Sequence, residues 1–396
     1  MKLADITTRL AGLGGAKWAV HFAARDRIEA GEDIIEMTIG EPDVPVPDRL
    51  VAASIEALNA GRTQYSNGQG EEGLLQALAD RYTQRIGRPF GPENFLCLPG
   101  TQTALYAVMM GVAETGDEVL VGDPMYATYE GVVRATGATM VPVPLRDEHG
   151  FRMQAHDLAA AITPKSRAIL LNSPHNPTGA VLSRDELQAI GALARQHNLW
   201  IISDEVYEDL IFDGTTFCSP LALPEIADRV IAVASISKSH AAPGFRSGWC
   251  VGPAAFCEAL LPVAETMLFG NQPFIADMTE VAVREGSPVA AGMAARFSAR
   301  ATRLRDRLQA QSDLAVHMPA AGMFALVSAK ALGLDGEAYA WALLDQGVAV
   351  MPGSAFGDGL QDWVRVALTI PDDQFDQAID RMLTHAKATQ PQAVAS

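Results

Sequence analysis

Cysteine is scarce in this chain, and basic residues are fewer than acidic ones. Cys97, Cys218, Cys250 and Cys257 are scattered through 396 residues, with no Cys-x-x-Cys pair and no histidine cluster beside them. That spacing argues against a disulfide framework or a thiolate zinc site. It predicts reduced thiols in a cytoplasmic protein, and no metal is expected. Lys and Arg number 30 against 47 Asp and Glu, a formal net charge of −17. Such a surface repels polyanions, so neither nucleic acid nor an anionic membrane is an expected partner. No uninterrupted apolar run approaches the roughly 20 residues that span a bilayer. The opening Met1-Lys-Leu-Ala-Asp-Ile6 also lacks the apolar core of a signal peptide.

What is present is a large apolar fraction, 48%, and a change of texture along the chain. From about residue 49 to 287, short β-rich runs alternate with helical stretches. Residues 118–121, 168–171, 200–203, 230–233 and 248–251 read as strands, and 103–113 and 184–196 as helices. This alternation predicts an α/β fold with a largely parallel sheet covered on both faces. After about Pro288 a long helical stretch (290–311) precedes strands near 323–327 and 364–368 and a terminal helix (373–387), which reads as a smaller α+β unit. The final residues, 387–396, carry little to bury and are expected to fray.

Three segments point to chemistry. In Ser235-Ile-Ser-Lys238-Ser-His-Ala-Ala-Pro-Gly-Phe-Arg246 a lysine lies between hydroxyls and a guanidinium. A lysine amine forms imines with carbonyl cofactors, and Ser235, Ser237 and Arg246 suit a phosphate, so the pattern fits pyridoxal 5′-phosphate. Asn172-Ser-Pro-His-Asn176-Pro177-Thr-Gly179 follows one apolar run, and Ser203-Asp204-Glu-Val-Tyr207 ends another. Each alone is equally a turn, a cap or packing. Together they fall at strand carboxyl ends, where open α/β sheets bind ligands.

With these motifs the chain resembles the class I/II aminotransferases, the fold type I pyridoxal-phosphate enzymes, over about residues 39–368. Around 173–179 and 237–240 it is most similar to bacterial transaminases of the arginine:pyruvate type. The resemblance implies a large cofactor domain at 46–287 and a discontinuous small domain from 1–45 and 288–396. It implies that Lys238 binds the cofactor and moves a proton at the substrate's Cα, that Asp204 faces the pyridine nitrogen, and that Tyr207 and Asn176 meet the phenolic oxygen. Gly100, Thr101 and Gln102, before the helix expected at 103, would join Ser235, Ser237 and Arg246 around the phosphate. Tyr65 would come from a neighbouring subunit of a homodimer, and Tyr126 would stack on the ring. Arg365, with the Gly40 backbone and Asn176, would take the substrate carboxylate. The Asn176–Pro177 bond is expected to be cis.

The implied reaction moves the amino group of an α-amino acid to a 2-oxo acid by a ping-pong route through pyridoxamine phosphate. A β-eliminating lyase could share the same cofactor residues. A ligand-sensing regulator would need a DNA-binding module, for which the residues before 39 leave no room. The side-chain pocket is expected among Lys17, Trp18, Phe269, Gly270, Asn271 and Phe324, with no obvious second arginine for a dicarboxylic substrate. His240 stands where many relatives carry an aromatic and reads as a packing histidine. Gly73-Leu74-Leu75 departs from the usual Leu-Arg ending of the Tyr65 motif.

Overall fold

The computed structural model describes residues 1–13 and 15–389. Its strands are β1 (Ile35–Glu36), β2 (Phe95–Leu98), β3 (Glu118–Asp123), β4 (Thr139–Pro144), β5 (Ser166–Asn172), β6 (Trp200–Asp204), β7 (Val230–Ser235), β8 (Gly248–Val251), β9 (Ala315–His317), β10 (Phe324–Ser328), β11 (Val348–Ala349), β12 (Met351–Pro352) and β13 (Trp363–Ala367). A seven-stranded sheet has the order β2-β8-β7-β6-β5-β3-β4. Pairings among β7, β6, β5, β3 and β4 are parallel, and β8 runs antiparallel to both neighbours. The expected mostly parallel sheet is therefore present, with one reversed strand.

Strand side chains alternate between faces, and the sequence uses both. Leu120, Ile169, Ile201, Ala232 and Trp249 enter one core with the helices Glu72–Ile86, Arg184–Gln196 and Pro273–Glu285. Their neighbours Val121, Ala168, Ile202, Ile231 and Cys250 enter a second core with the helices Gly100–Val112 and Ala254–Met267. Burial on both faces explains why these strands read as continuous apolar runs.

A four-stranded antiparallel sheet, β12-β13-β10-β9, has its own core with the helices Ala290–Gln311, Gly336–Asp345 and Asp372–Thr389. Val20 and Ala24 from the helix Ala19–Glu29 join it, as does Met37, and β1 pairs with β11 in parallel. The terminal helix continues beyond the point where fraying is expected. Ala386 is buried in the core, and Lys387 reaches Gln311, which holds residues 387–389 in the helix. Residues 390–396 of the expected frayed tail lie outside the described residues.

Ile231, fully buried on the interior strand β7, gives a direct check of this packing. Ile231→Ala should lower stability by about 2–5 kcal/mol, read as a lower urea midpoint. An unchanged midpoint would contradict the double-faced core.

Candidate active site

Five strands of the large sheet deliver the candidate residues at their carboxyl ends. β6 ends in Asp204, level with Asn172 at the end of β5. The Asn172 amide donates to the Asp204 carbonyl (3.1 Å), and its Oδ1 accepts from the Asn176 N–H (2.8 Å). Lys238 lies on the one-turn helix Ile236–Ser239 directly after β7. The residues after β2 and β3 supply Thr101 and Tyr126. They surround a cavity of about 360 Å³. Trp18, Gly40, Thr101, Gln102, Tyr126, Asn176, Asp204, Tyr207, Ser235, Ser237, Lys238, Arg246 and Arg365 all line it.

Gly100 stands behind this lining and shapes it. It has a φ of +83°, a left-handed conformation costly for any side chain, and a Cβ there would collide with the Arg246 guanidinium. Arg246 is itself left-handed (φ +52°), with its guanidinium donating to the Pro243 carbonyl (2.8 Å) and more weakly to that of Pro99 (3.4 Å). The helix begins at Gly100, three residues earlier than expected, because the glycine lets the chain turn directly out of β2. Thr101 and Gln102 therefore occupy its first turn, where N–H groups lack helical partners. The Thr101 hydroxyl is buried without a partner. Free amides, an orphaned hydroxyl and an exposed guanidinium together form a cradle suited to an anion such as phosphate.

Arg365 enters from β13 in the other sheet and is only 3% exposed. It donates to Asn176 Oδ1 (3.0 Å) and to the Thr38 carbonyl (2.7 Å). Its guanidinium lies 3.9 Å from the Phe324 ring centroid and 4.4 Å from that of Phe356. Its Nε has no partner. Burial pushes its pKa down to about 10, against the hydroxyls of Tyr207 and Tyr126, so it stays cationic at neutral pH. Gly40 is needed beneath this stack, since a Cβ there would run into the Phe324 ring.

Burial also acts on the other charged groups. It pushes the Lys238 amine down to about 8; Glu41 opposes that shift, and Arg365 and Arg246 add to it. The amine donates to the Gly40 carbonyl (2.9 Å). Burial pushes the Asp204 carboxyl up to about 6, opposed by hydrogen bonds from the Tyr129 hydroxyl and the Val206 N–H. Those bonds are 2.7 Å and 3.1 Å long. Burial, helped by Tyr126 and Asp204, pushes the Tyr207 hydroxyl well up, while Arg365 and Asn176 hold it back.

Sequence reasoning missed Tyr129 and Asn172, both of which line the cavity. Tyr129 could have been found from the Tyr126-x-x-Tyr129 spacing, and Asn172 from its place one turn before Asn176. The cis geometry of Asn176–Pro177 is present, as it is at Asp123–Pro124 and Ser173–Pro174. His240 is buried, with ring nitrogens 2.8 Å from the Ser239 hydroxyl and 3.1 Å from the Ala282 carbonyl, which ties the lysine loop to the helix behind it.

Some candidates lie away from the cavity. Tyr65 is 92% exposed and packs edge-on against Phe269, itself 65% exposed. A Cβ at Gly270 would collide with the Asn67 carbonyl. Asn271 is buried with both amide atoms unpartnered. Lys17 is held in an ion pair with Glu130. Of the expected side-chain pocket, Trp18 and Phe324 face the cavity.

Residues 32–382 match the family described as aminotransferase class I and II. The chain is 43% identical to an arginine–pyruvate transaminase of Pseudomonas aeruginosa, covering 96% of this chain and 97% of that protein. It is 35% identical to a probable N-succinyldiaminopimelate aminotransferase of Mycobacterium tuberculosis, over 91% of this chain and 94% of the other. The fold superimposes on a Thermus thermophilus aspartate aminotransferase solved with maleate, with a TM-score of 0.91 at 28% identity, covering 97% of this chain and 100% of that one. The chain belongs to the class I and II aminotransferase family and has its fold type I architecture. It is an aminotransferase, acting on amino acids and 2-oxo acids.

The raised Asp204 pKa has a consequence for stability. The folded value of about 6 lies above the ordinary 3.8, so the folded state holds more protons between those values. Stability then falls as pH rises from about 4 to 6 and stays reduced above that, by on the order of 3 kcal/mol. In protein stripped of bound small molecules, Asp204→Asn should raise Tm at pH 7.5, with the gain vanishing near pH 4. A lower Tm at pH 7.5 would show that the carboxylate is already balanced by its two donors.

Proposed function

We propose that the cavity binds pyridoxal 5′-phosphate and that the residues around it divide the work of amino transfer. The observation that carries this reading is one cavity holding a lysine amine tuned to about 8, a buried carboxylate and a buried guanidinium. When bound, the cofactor supplies an aldehyde that takes up amino groups and a ring that accepts the electron pair released at the substrate's Cα. The residues present fit it. Thr101, Ser235, Ser237, Arg246 and the amides following Gly100 would hold its phosphate, and the unpartnered Thr101 hydroxyl would gain an acceptor.

Asp204 would face the ring nitrogen, where a cation relieves the cost of its burial. Tyr129 fixes one carboxylate oxygen and so sets the direction of the other. Tyr207 and Asn176 would donate to the phenolic oxygen, and Tyr126 would offer its ring face. Lys238 is the nucleophilic amine and, once free, the base that takes and returns the proton at Cα. A pKa near neutrality suits both duties. Arg365 would pair with the substrate carboxylate through its remaining donors, and Gly40 and Trp18 would border it.

Tyr65, too exposed to serve its own cavity, would complete the site of a second copy in a homodimer. The division into 46–287 and 1–45 with 288–396 belongs to this reading, with the cavity between the two parts. Four unpaired cysteines suit a reducing cytoplasm. The arginine–pyruvate relative makes arginine the first donor to try and pyruvate the first acceptor.

The test is a single-turnover absorbance scan of the cofactor-loaded enzyme. An amino acid should bleach the long-wavelength cofactor band and a 2-oxo acid should restore it. Pyruvate and ammonia released with the band intact would mean elimination instead. Lys238→Ala should abolish turnover, and Arg365→Lys should raise KM by about 10-fold or more through loss of the planar fork. Full turnover in Lys238→Ala would refute the site.

A further inference from the structure

Amino transfer as proposed commits every cation that lines the cavity among the described residues. Lys238 meets the cofactor, Arg246 its phosphate and Arg365 the α-carboxylate. Among the described residues, no lining cation is left for a second carboxylate on the substrate. A fourth cation stands one residue from the lining, since Lys17 precedes Trp18 in the 3₁₀ turn Ala16–Trp18. Its amine lies 3.0 Å from Glu130 Oε2, and both side chains are only about a quarter exposed, at 27% and 25%. Glu130 directly follows the cavity-lining Tyr129, so the pair bridges the two segments that carry Trp18 and Tyr129. Arg134, one helical turn on, donates to the other Glu130 oxygen (3.0 Å) and is 45% exposed. The wall of the cavity also carries the apolar side chains of Ile39 and Phe324.

We propose that the Lys17–Glu130 pair sets the class of amino donor: Glu130 withholds Lys17 from the substrate, and the enzyme takes donors whose side chains carry no carboxylate. The proposal rests on the roles assigned to Lys238, Arg246 and Arg365. A carboxylate brought against this wall would lose its water without gaining a partner, a large penalty for a charged group. Without the Glu130 charge, Lys17 would be a flexible, strongly charged arm beside Trp18, free to meet such a carboxylate.

The experiment measures kcat/KM of the cofactor-loaded enzyme for arginine, leucine, phenylalanine, aspartate and glutamate, with one 2-oxo acid held fixed. Wild-type enzyme should favour the non-acidic donors by about 100-fold or more, the discrimination expected when a charged group is left unpaired. Glu130→Gln should raise the glutamate-to-leucine ratio of kcat/KM about fivefold, as expected for one new partly exposed charge contact. Lys17→Glu, at a side chain in a short, partly buried turn, should move that ratio the other way and raise the arginine-to-leucine ratio. A purely structural role would lower all donors together and leave the ratios fixed. A wild-type preference for aspartate or glutamate, or ratios unmoved in both folded variants, would overturn the proposal alone. Failure of every donor to transfer its amino group would overturn it together with the site assignments beneath it.

Discussion

Burying a guanidinium is the constraint around which this molecule is arranged. A charge taken out of water is tolerated only when its donors are used and its faces are covered. For Arg365 those partners come from distant parts of the chain: the Thr38 carbonyl beside β1, Asn176 after β5, Phe324 on β10 and Phe356 near β12. One side chain thereby ties the N-terminal segment, the large sheet and the small sheet together. Gly40 follows from the same requirement, because the Phe324 ring occupies the space a side chain would need. The carbonyl of that glycine then receives the Lys238 amine, so Gly40 meets one cation directly and the other through the Phe324 ring.

The rest of the cavity shows the same economy with opposite signs. Burial drives Asp204 and Lys238 each towards its neutral form, the acid upwards and the amine downwards. A cavity built this way holds its reactive groups near the pH at which they exchange protons. Tyr129 and the Val206 N–H limit the shift of Asp204, and Glu41 limits that of Lys238. The balance depends on partners that carry no obvious signature in the chain.

Much of this was legible in the sequence because it is local. Apolar runs ending in Asn172, Asp204 and Ser235 marked three neighbouring strands, and the turns after them carried the reactive side chains. The antiparallel sense of β8 was not legible, since strand direction depends on connections and not on composition. The early start of the helix at Gly100 was hidden because a left-handed glycine lets a strand pass straight into a helix without a loop. Tyr129 escaped because nothing about a tyrosine on a short helix shows that its hydroxyl meets a carboxylate 75 residues later. Lys17 was read as a pocket residue, and only the fold reveals that Glu130, 113 residues away, holds it.

Arg365 and Arg246 differ in one further respect. Mobile ions weaken attractions between charges that solvent can reach, over a Debye length of about 8 Å at physiological strength. Arg246 is exposed and lies within their reach, whereas Arg365 is sealed between two aromatic rings. Added salt should therefore loosen the grip on an anion at the helix start while leaving the grip on a carboxylate at β13 nearly unchanged. Two anion sites in one cavity would then answer differently to the ionic strength of their surroundings.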